Sequence, residues 1–225
     1  MLFVVTALAL MGVFFGIESE HMTRVSFTST QKPIFSPDGK RLYLTSKERE
    51  AFMIAADALP REHRSLCYVL AMTGCRISEA LGLPSDQIDF GARAIGFKSL
   101  KKREKIEHRF VPVPSTLLDM LVLVNDLKRK RPRKPAPLWS IGRTRAWQIV
   151  KATMHAAKIK GKHATPKGLR HGFGVHAVSS GVPLNLLQRW LGHAQLETTA
   201  IYANALGAEE YSIATRMWEG LNDSD

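Results

Sequence analysis

Cysteine is scarce in this chain: Cys67 and Cys75 are the only two in 225 residues, both beside apolar neighbours and without metal-ligand spacing. That excludes a disulfide-stapled scaffold and a thiolate metal site, and it suits buried, reduced thiols in a cytoplasmic protein. Acidic residues are also in deficit, with Asp+Glu 20 against Lys+Arg 32, a net charge of +12 and a pI near 10.0. A surplus that basic favours a polyanionic partner, either nucleic acid or an anionic membrane surface. No internal repeat is present, which excludes a solenoid or propeller. Long hydrophobic runs are missing except at the start. Met1 to Ile17 carries no charged side chain, yet it is slightly short of the ~20 residues a spanning helix needs. It lacks the basic flank and small-residue cleavage site of a secretory signal. Residues 1–21 are therefore expected to be an apolar leader outside the fold, with Met22 as an internal start. Were they an anchor, Arg24 and the basic residues after it would leave the body cytoplasmic.

What is present is enough to fold. An apolar share of 45% supplies a core, and the length suits one large domain with an appendage. Pro33, Pro37, Asp38 and Gly39 mark an irregular N-terminal arm over residues 22–44. Thr45 followed by Glu48 is a capping-box signature for a helix reaching about Leu59, where Pro60 ends it. A second helix is expected over 61–73, broken by Gly74, and Ser78-Glu79 opens a short third one. That break puts Arg76 at a helix-to-helix corner. Between Ile88 and Val113 the alternation predicts two or three short strands around a basic loop. Further helices are expected over 115–128, 143–157, 169–180, 183–191 and 208–218. Tyr211, Ala214 and Trp218 share one face of the last, by three- and four-residue spacing. The fold class is α+β, mostly α, with one small antiparallel sheet. Trp147 and Trp190 are expected to pack in the core or between helices.

Three segments carry chemistry. They are Thr73-Gly74-Cys75-Arg76-Ile77-Ser78-Glu79-Ala80-Leu81, then Thr165-Pro166-Lys167-Gly168-Leu169-Arg170-His171-Gly172, then Leu191-Gly192-His193 running on to Thr198-Thr199-Ala200-Ile201-Tyr202. Two guanidiniums, Arg76 and Arg170, can hold the non-bridging oxygens of one phosphodiester through bidentate charge-assisted bonds. The Tyr202 hydroxyl can attack the phosphorus to form a covalent intermediate while His193 steadies the developing charge. Such a set of groups is suited to cutting and rejoining DNA without a metal. His171, directly after Arg170, reads as a structural hydrogen-bonding residue.

At these residues the chain resembles the tyrosine recombinase (phage integrase) family, from about Thr45 to the C-terminus. The first box fits the family pattern Thr-Gly-Xaa-Arg-Xaa-Ser-Glu-Xaa-Leu throughout. The second fits His-Xaa-Leu-Arg-His except that Lys167 stands for the leading histidine. The third fits Leu-Gly-His with Thr-Thr-Xaa-Xaa-Tyr after it. The resemblance implies a catalytic domain over 45–225, without the separate core-binding domain that closes the family's clamp on DNA. It implies a site-specific recombinase or integrase of a mobile element, in which Tyr202 forms a 3′-phosphotyrosyl link to double-stranded DNA. It also implies a lysine on the strand hairpin that protonates the departing 5′-oxygen. Register favours Lys101, with Lys98 and Lys102 beside it. Lys167 resembles the lysine that type IB topoisomerases carry three residues before the second arginine, where it adds positive charge at the phosphate. The implied partners are double-stranded DNA, further copies forming a tetramer on it, and an accessory DNA-binding protein.

Two alternatives follow from the same residues. One is topoisomerase-like relaxation of supercoiled DNA; the other is a catalytically weak DNA-binding remnant of a mobile element. Basic stretches at Lys98–Lys105 and Lys128–Lys134 are candidates for phosphate contact. Arg143 and Arg145 are candidates for contact with DNA from the start of their helix.

Overall fold

A computed structural model describes residues 34–98, 108–125, 136–204 and 214–215. Local signals account for much of the chain's course among them. The Thr45 side chain accepts from the Glu48 N–H while the Glu48 carboxylate accepts from the Thr45 N–H at 3.0 Å, and this reciprocal cap starts α1 (Ser46–Asp57). Pro60 stands before α2 (Arg61–Thr73). Gly74 ends that helix at φ 60, in the left-handed region where a Cβ is strained. The chain turns there into α3 (Ile77–Leu81). Three strands follow, β1 (Ile88–Asp89), β2 (Ala94–Lys98) and β3 (His108–Pro112), paired antiparallel in sequence order. Ile95 lies opposite Val111, and Lys98 opposite His108.

The remaining helices are α4 (Ser115–Asn125), α5 (Arg143–Ala156), α6 (Pro166–Ser179), α7 (Leu184–Leu191) and α8 (Glu197–Ala200), with a 3-10 turn over Ile201–Asn204. The architecture is the expected mostly helical one with a small antiparallel sheet. Helix α6 begins three residues before the expected Leu169. The Thr165 hydroxyl accepts from the Gly168 N–H, and Pro166 fills the first helical position, where a missing N–H does no harm. Helix α8 and the turn after it had not been expected. Helix α4 is described to Asn125, short of the expected residue 128, and residues 126–135 lie outside the described set. Of the helix expected over 208–218, Ala214 and Thr215 are described and helical, while Tyr211 and Trp218 lie outside.

One apolar cluster fills the space among α1, α2, α4, α5 and the sheet, around Phe52, Leu66, Leu70, Phe97, Leu121 and Met154. A second joins Ile34 and Tyr43 to Phe173, Leu187, Leu191 and Tyr202. The described part of the N-terminal arm therefore belongs to the core. Gly172 lets α6 lie against it, since a Cβ there would sit 2.6 Å from the Leu44 carbonyl oxygen. Arg41 pairs with Glu48, whose carboxylate also meets His163 Nε2 at 3.2 Å, fastening the arm to the approach of α6. Cys67 and Cys75 are both buried and free, and burial pushes their thiols up to about 11 and about 12, so neither is reactive. Among the described residues no helix is long and apolar enough to cross a membrane; the leader lies outside them.

Candidate active site

The corner made by Gly74 places Arg76 as the residue before α3, in an extended conformation. Its side chain is 33% exposed, and Nη1 donates to Glu79 Oε1 at 2.7 Å while the Arg76 N–H donates to Glu79 Oε2 at 2.7 Å. Arg170, on the first turns of α6, is buried. Its Nη1 donates to the Gly74 carbonyl at 2.6 Å and its Nη2 to the Leu191 carbonyl at 2.8 Å. One guanidinium thus ties the first sequence box to the third. Burial, with the like charge of Arg76 behind it, pushes Arg170 down to about 10, which leaves it a cation at neutral pH. Its two hydrogen-bond partners are both carbonyls, and no carboxylate among the described residues forms an ion pair with it.

Helix α7 ends at Gly192, φ 66, where the N–H groups of Gly192 and His193 both donate to the Gln188 carbonyl, at 2.9 and 3.1 Å. His193 then meets the Thr199 hydroxyl through Nδ1 at 2.9 Å. Its ring lies 6.3 Å from that of Tyr202, with 16° between their planes. Tyr202, on the 3-10 turn after α8, is only 1% exposed. Its ring rests on α6 at Gly174, where a Cβ would come within 2.6 Å of it, and its hydroxyl meets His171 Nδ1 at 3.1 Å. Burial pushes the phenol up to about 12, against the pull of Arg170 and Arg76. Burial pushes His171 down to about 4, helped by the positive charges of Lys167 and Arg170, so both partners of this hydrogen bond are neutral at pH 7. The expected structural role of His171 therefore has a specific object, the Tyr202 hydroxyl.

Arg170 joins Gly74, two residues before Arg76, to Leu191, two before His193; the His193 ring stacks beside Tyr202, and the charges of Arg170 and Arg76 both act on that phenol. Lys167 is exposed on the first turn of α6, one turn ahead of Arg170 and His171. Lys101 and Lys102 lie outside the described residues, whereas Lys98 is exposed at the end of β2. Trp190 packs partly buried against both apolar clusters, as expected. Trp147 does not pack in the core. It is 47% exposed on α5, with Lys151 Nζ 5.9 Å from its ring, because Ala146, Ile149 and Val150 take the buried face.

Two charged residues at this junction had not been singled out. Glu79 is buried and bound to Arg76, and Arg109 on β3 is buried and donates from Nη2 to Glu79 Oε2 at 2.6 Å. Burial would raise the Glu79 carboxyl, but Arg109 and then Arg76 overcome it and hold it below the usual carboxylate range. The signal for Arg109 was its phase: along β3 it alternates onto the buried face with Val111.

A buried phenol beside two guanidiniums and an imidazole, on this helical scaffold with its three-stranded sheet, defines a protein of the tyrosine recombinase class. The model of the phage integrase family matches residues 42–209, and the chain belongs to that family. It is 34% identical to tyrosine recombinase XerD of Mycobacterium leprae over 154 residues, covering 62% of this chain and 47% of that protein. It is 33% identical to tyrosine recombinase XerC of Nitrobacter winogradskyi over 186 residues, covering 77% of this chain and 54% of that one. The chain spans about half the length of these curated relatives. Its fold is similar to that of the XerA recombinase, with a TM-score of 0.67 at 24% identity over 78% of this chain and 64% of that one. It is also similar to the catalytic domain of bacteriophage HP1 integrase, with a TM-score of 0.57 at 22% identity over 81% of this chain and 98% of that domain.

Proposed function

We propose that this chain is a site-specific recombinase that cuts and rejoins double-stranded DNA through a phosphotyrosyl intermediate on Tyr202. The observation that carries the reading is the meeting of Tyr202 with Arg76, Arg170 and His193, drawn from three distant segments around a buried cation that pairs with no carboxylate among the described residues. Arg76 and Arg170 hold the non-bridging oxygens of the scissile phosphate, and His193 donates to the charge that grows on them. The Tyr202 hydroxyl releases its proton to solvent as its oxygen bonds to phosphorus and the bond from phosphorus to the 5′-oxygen breaks, leaving a 3′-phosphotyrosyl link. Lys101 gives its proton to the departing 5′-oxygen, and Lys167 adds positive charge beside the phosphate. One phosphodiester replaces another, so the reverse attack by a 5′-hydroxyl rejoins the strand with no nucleotide cofactor or metal. Strand exchange requires further copies of the chain, and we propose that four assemble on DNA, with an accessory DNA-binding protein where the clamp needs one.

Lys167 supports a second reading, relaxation of supercoiled DNA by a single copy. The experiment for the first reading is incubation with a nicked suicide duplex from the native locus. A denaturation-resistant adduct with the unmodified chain, and none with Tyr202→Phe, is the expected result. Absence of an adduct from both would sink the proposal. Relaxation of any plasmid without paired sites would favour the second reading.

A further inference from the structure

We propose that Arg109 is a positioning residue that sets Arg76 and His193 in one register. This rests on the function proposed above. Arg109 reaches from β3 into the junction of α3 and α7 and uses its whole fork there. Nη2 and Nη1 donate to Glu79 Oε2 and Oε1 at 2.6 and 3.3 Å, and Nε donates to the Trp190 carbonyl at 2.7 Å. Glu79 in turn orients Arg76 through its side chain and its N–H, at 2.7 Å each. Trp190 O and Leu191 O are consecutive carbonyls at the end of α7, the negative end of the helix, held by Arg109 and Arg170 respectively. His193 follows after Gly192. Arg109 therefore touches neither catalytic group: Glu79 stands between it and Arg76, and the turn from Trp190 through Gly192 leads from it to His193.

The site is built to admit this side chain. Gly192, already at positive φ, would bring a Cβ to 3.1 Å from Arg109 Cδ and Nε, and the Phe97 ring lies 5.1 Å below the guanidinium. Burying such a pair contributes little to stability, because desolvation of both ions offsets most of their attraction. An apolar pair would serve a core at least as well. What a planar fork adds is direction: three bonds to two elements at fixed angles, which a lysine cannot reproduce. Reacting groups displaced by about 1 Å lose on the order of a hundredfold in rate.

The test uses the full chain with Arg109→Lys. Single-turnover cleavage of the suicide duplex is expected to fall about a hundredfold while DNA affinity changes less than about threefold. In a His193→Gln background the further loss from Arg109→Lys is expected to shrink by at least about tenfold, because part of it acts through His193. Independent of cleavage, the imidazole NMR signals of His193 are expected to shift in DNA-free Arg109→Lys while those of His63 and His155 stay in place. If the lysine variant does not fold, Phe97→Leu, which removes only the ring beneath the guanidinium, is read in the same assays. Wild-type cleavage rate, additive losses with His193→Gln, or unmoved His193 signals would each overturn the inference. An unmodified chain that forms no adduct counts against the proposed function, and the NMR comparison still decides the role of Arg109.

Discussion

Tyr202 is held where it cannot react. Its phenol is out of solvent, hydrogen-bonded to His171 and pushed up to about 12, whereas attack needs an accessible oxygen close to ionisation. The proposed attack on a phosphodiester therefore requires withdrawal of Tyr202 from the Gly174 slot. Tyr202→Phe is expected to remove the adduct, keep DNA binding, and lower stability by about 1–2 kcal/mol because the His171 ring loses its hydrogen bond while buried. Thermal melting beside a binding isotherm checks both parts. His171 adds a pH signature. Its pKa is pushed from 6.5 to about 4 in the fold, so below pH 6.5 the unfolded chain binds a proton that the folded chain refuses. Stability is thus undiminished above pH 6.5 and falls as the pH drops toward 4, by on the order of 3 kcal/mol. Exposed His176, lowered by partial desolvation and by Arg49, contributes in the same direction. Urea midpoints at pH 7 and 4.5 are expected to differ less in His171→Gln than in the unmodified chain; equal differences would mean that His171 is not the group responsible.

At the scale of elements, α6 organises the site because its glycines let other segments touch its backbone. Gly168 lies under the His163 carbonyl, Gly172 under Leu44, and Gly174 under the Tyr202 ring. Gly174→Ala puts a methyl within 2.6 Å of that ring, closer than any Cβ can sit. It is expected to cost about 1–3 kcal/mol by overpacking and to displace Tyr202 outward, seen as increased tyrosine quenching by acrylamide. If the ring moves without harming Arg76 or Arg170, single-turnover cleavage rises relative to stability, an outcome that separates sequestration from simple damage. Much of this element order was legible in the sequence, because its signals are local. Thr45 with Glu48, the Gly74 stop and the alternation along β2 and β3 each act within a few residues. The start of α6 was not legible in the same way, since Thr165-Pro166 reads equally as part of a chemical motif and as a cap. Helix α8 has four residues, too few for any periodicity. The four candidate side chains, Arg76, Arg170, His193 and Tyr202, were legible as residue types at fixed spacing. Burial of Tyr202 and the Arg109–Glu79 link depend on tertiary packing that no short window contains.

For the whole molecule the governing quantity is charge, +12 in 225 residues. Among the described residues three arginines face inward, Arg49, Arg109 and Arg170; Arg49 donates to the Ala71 carbonyl, and the other two bind at the junction. For the proposed function, the charges available to meet a duplex are the others, among them the run Lys128-Arg129-Lys130-Arg131-Pro132-Arg133-Lys134, which lies outside the described residues. Phosphate contacts of this kind release counterions, so each one lost should reduce the slope of log affinity against log salt by about 0.9. They carry no base information. Replacing Lys128, Arg129, Lys130 and Arg131 by glutamine is therefore expected to weaken binding to every duplex alike, native locus or random sequence. It should also flatten the salt dependence measured by fluorescence anisotropy over roughly 50–200 mM salt. The adduct yield at saturating DNA should stay unchanged, because none of the four belongs to the reacting group. A slope that does not move means that this run does not meet the backbone, and that binding rests on other basic residues, such as the exposed Lys98, Arg143 and Arg145. A loss confined to the native locus would instead give the run a part in reading sequence, which a set of phosphate contacts alone cannot have.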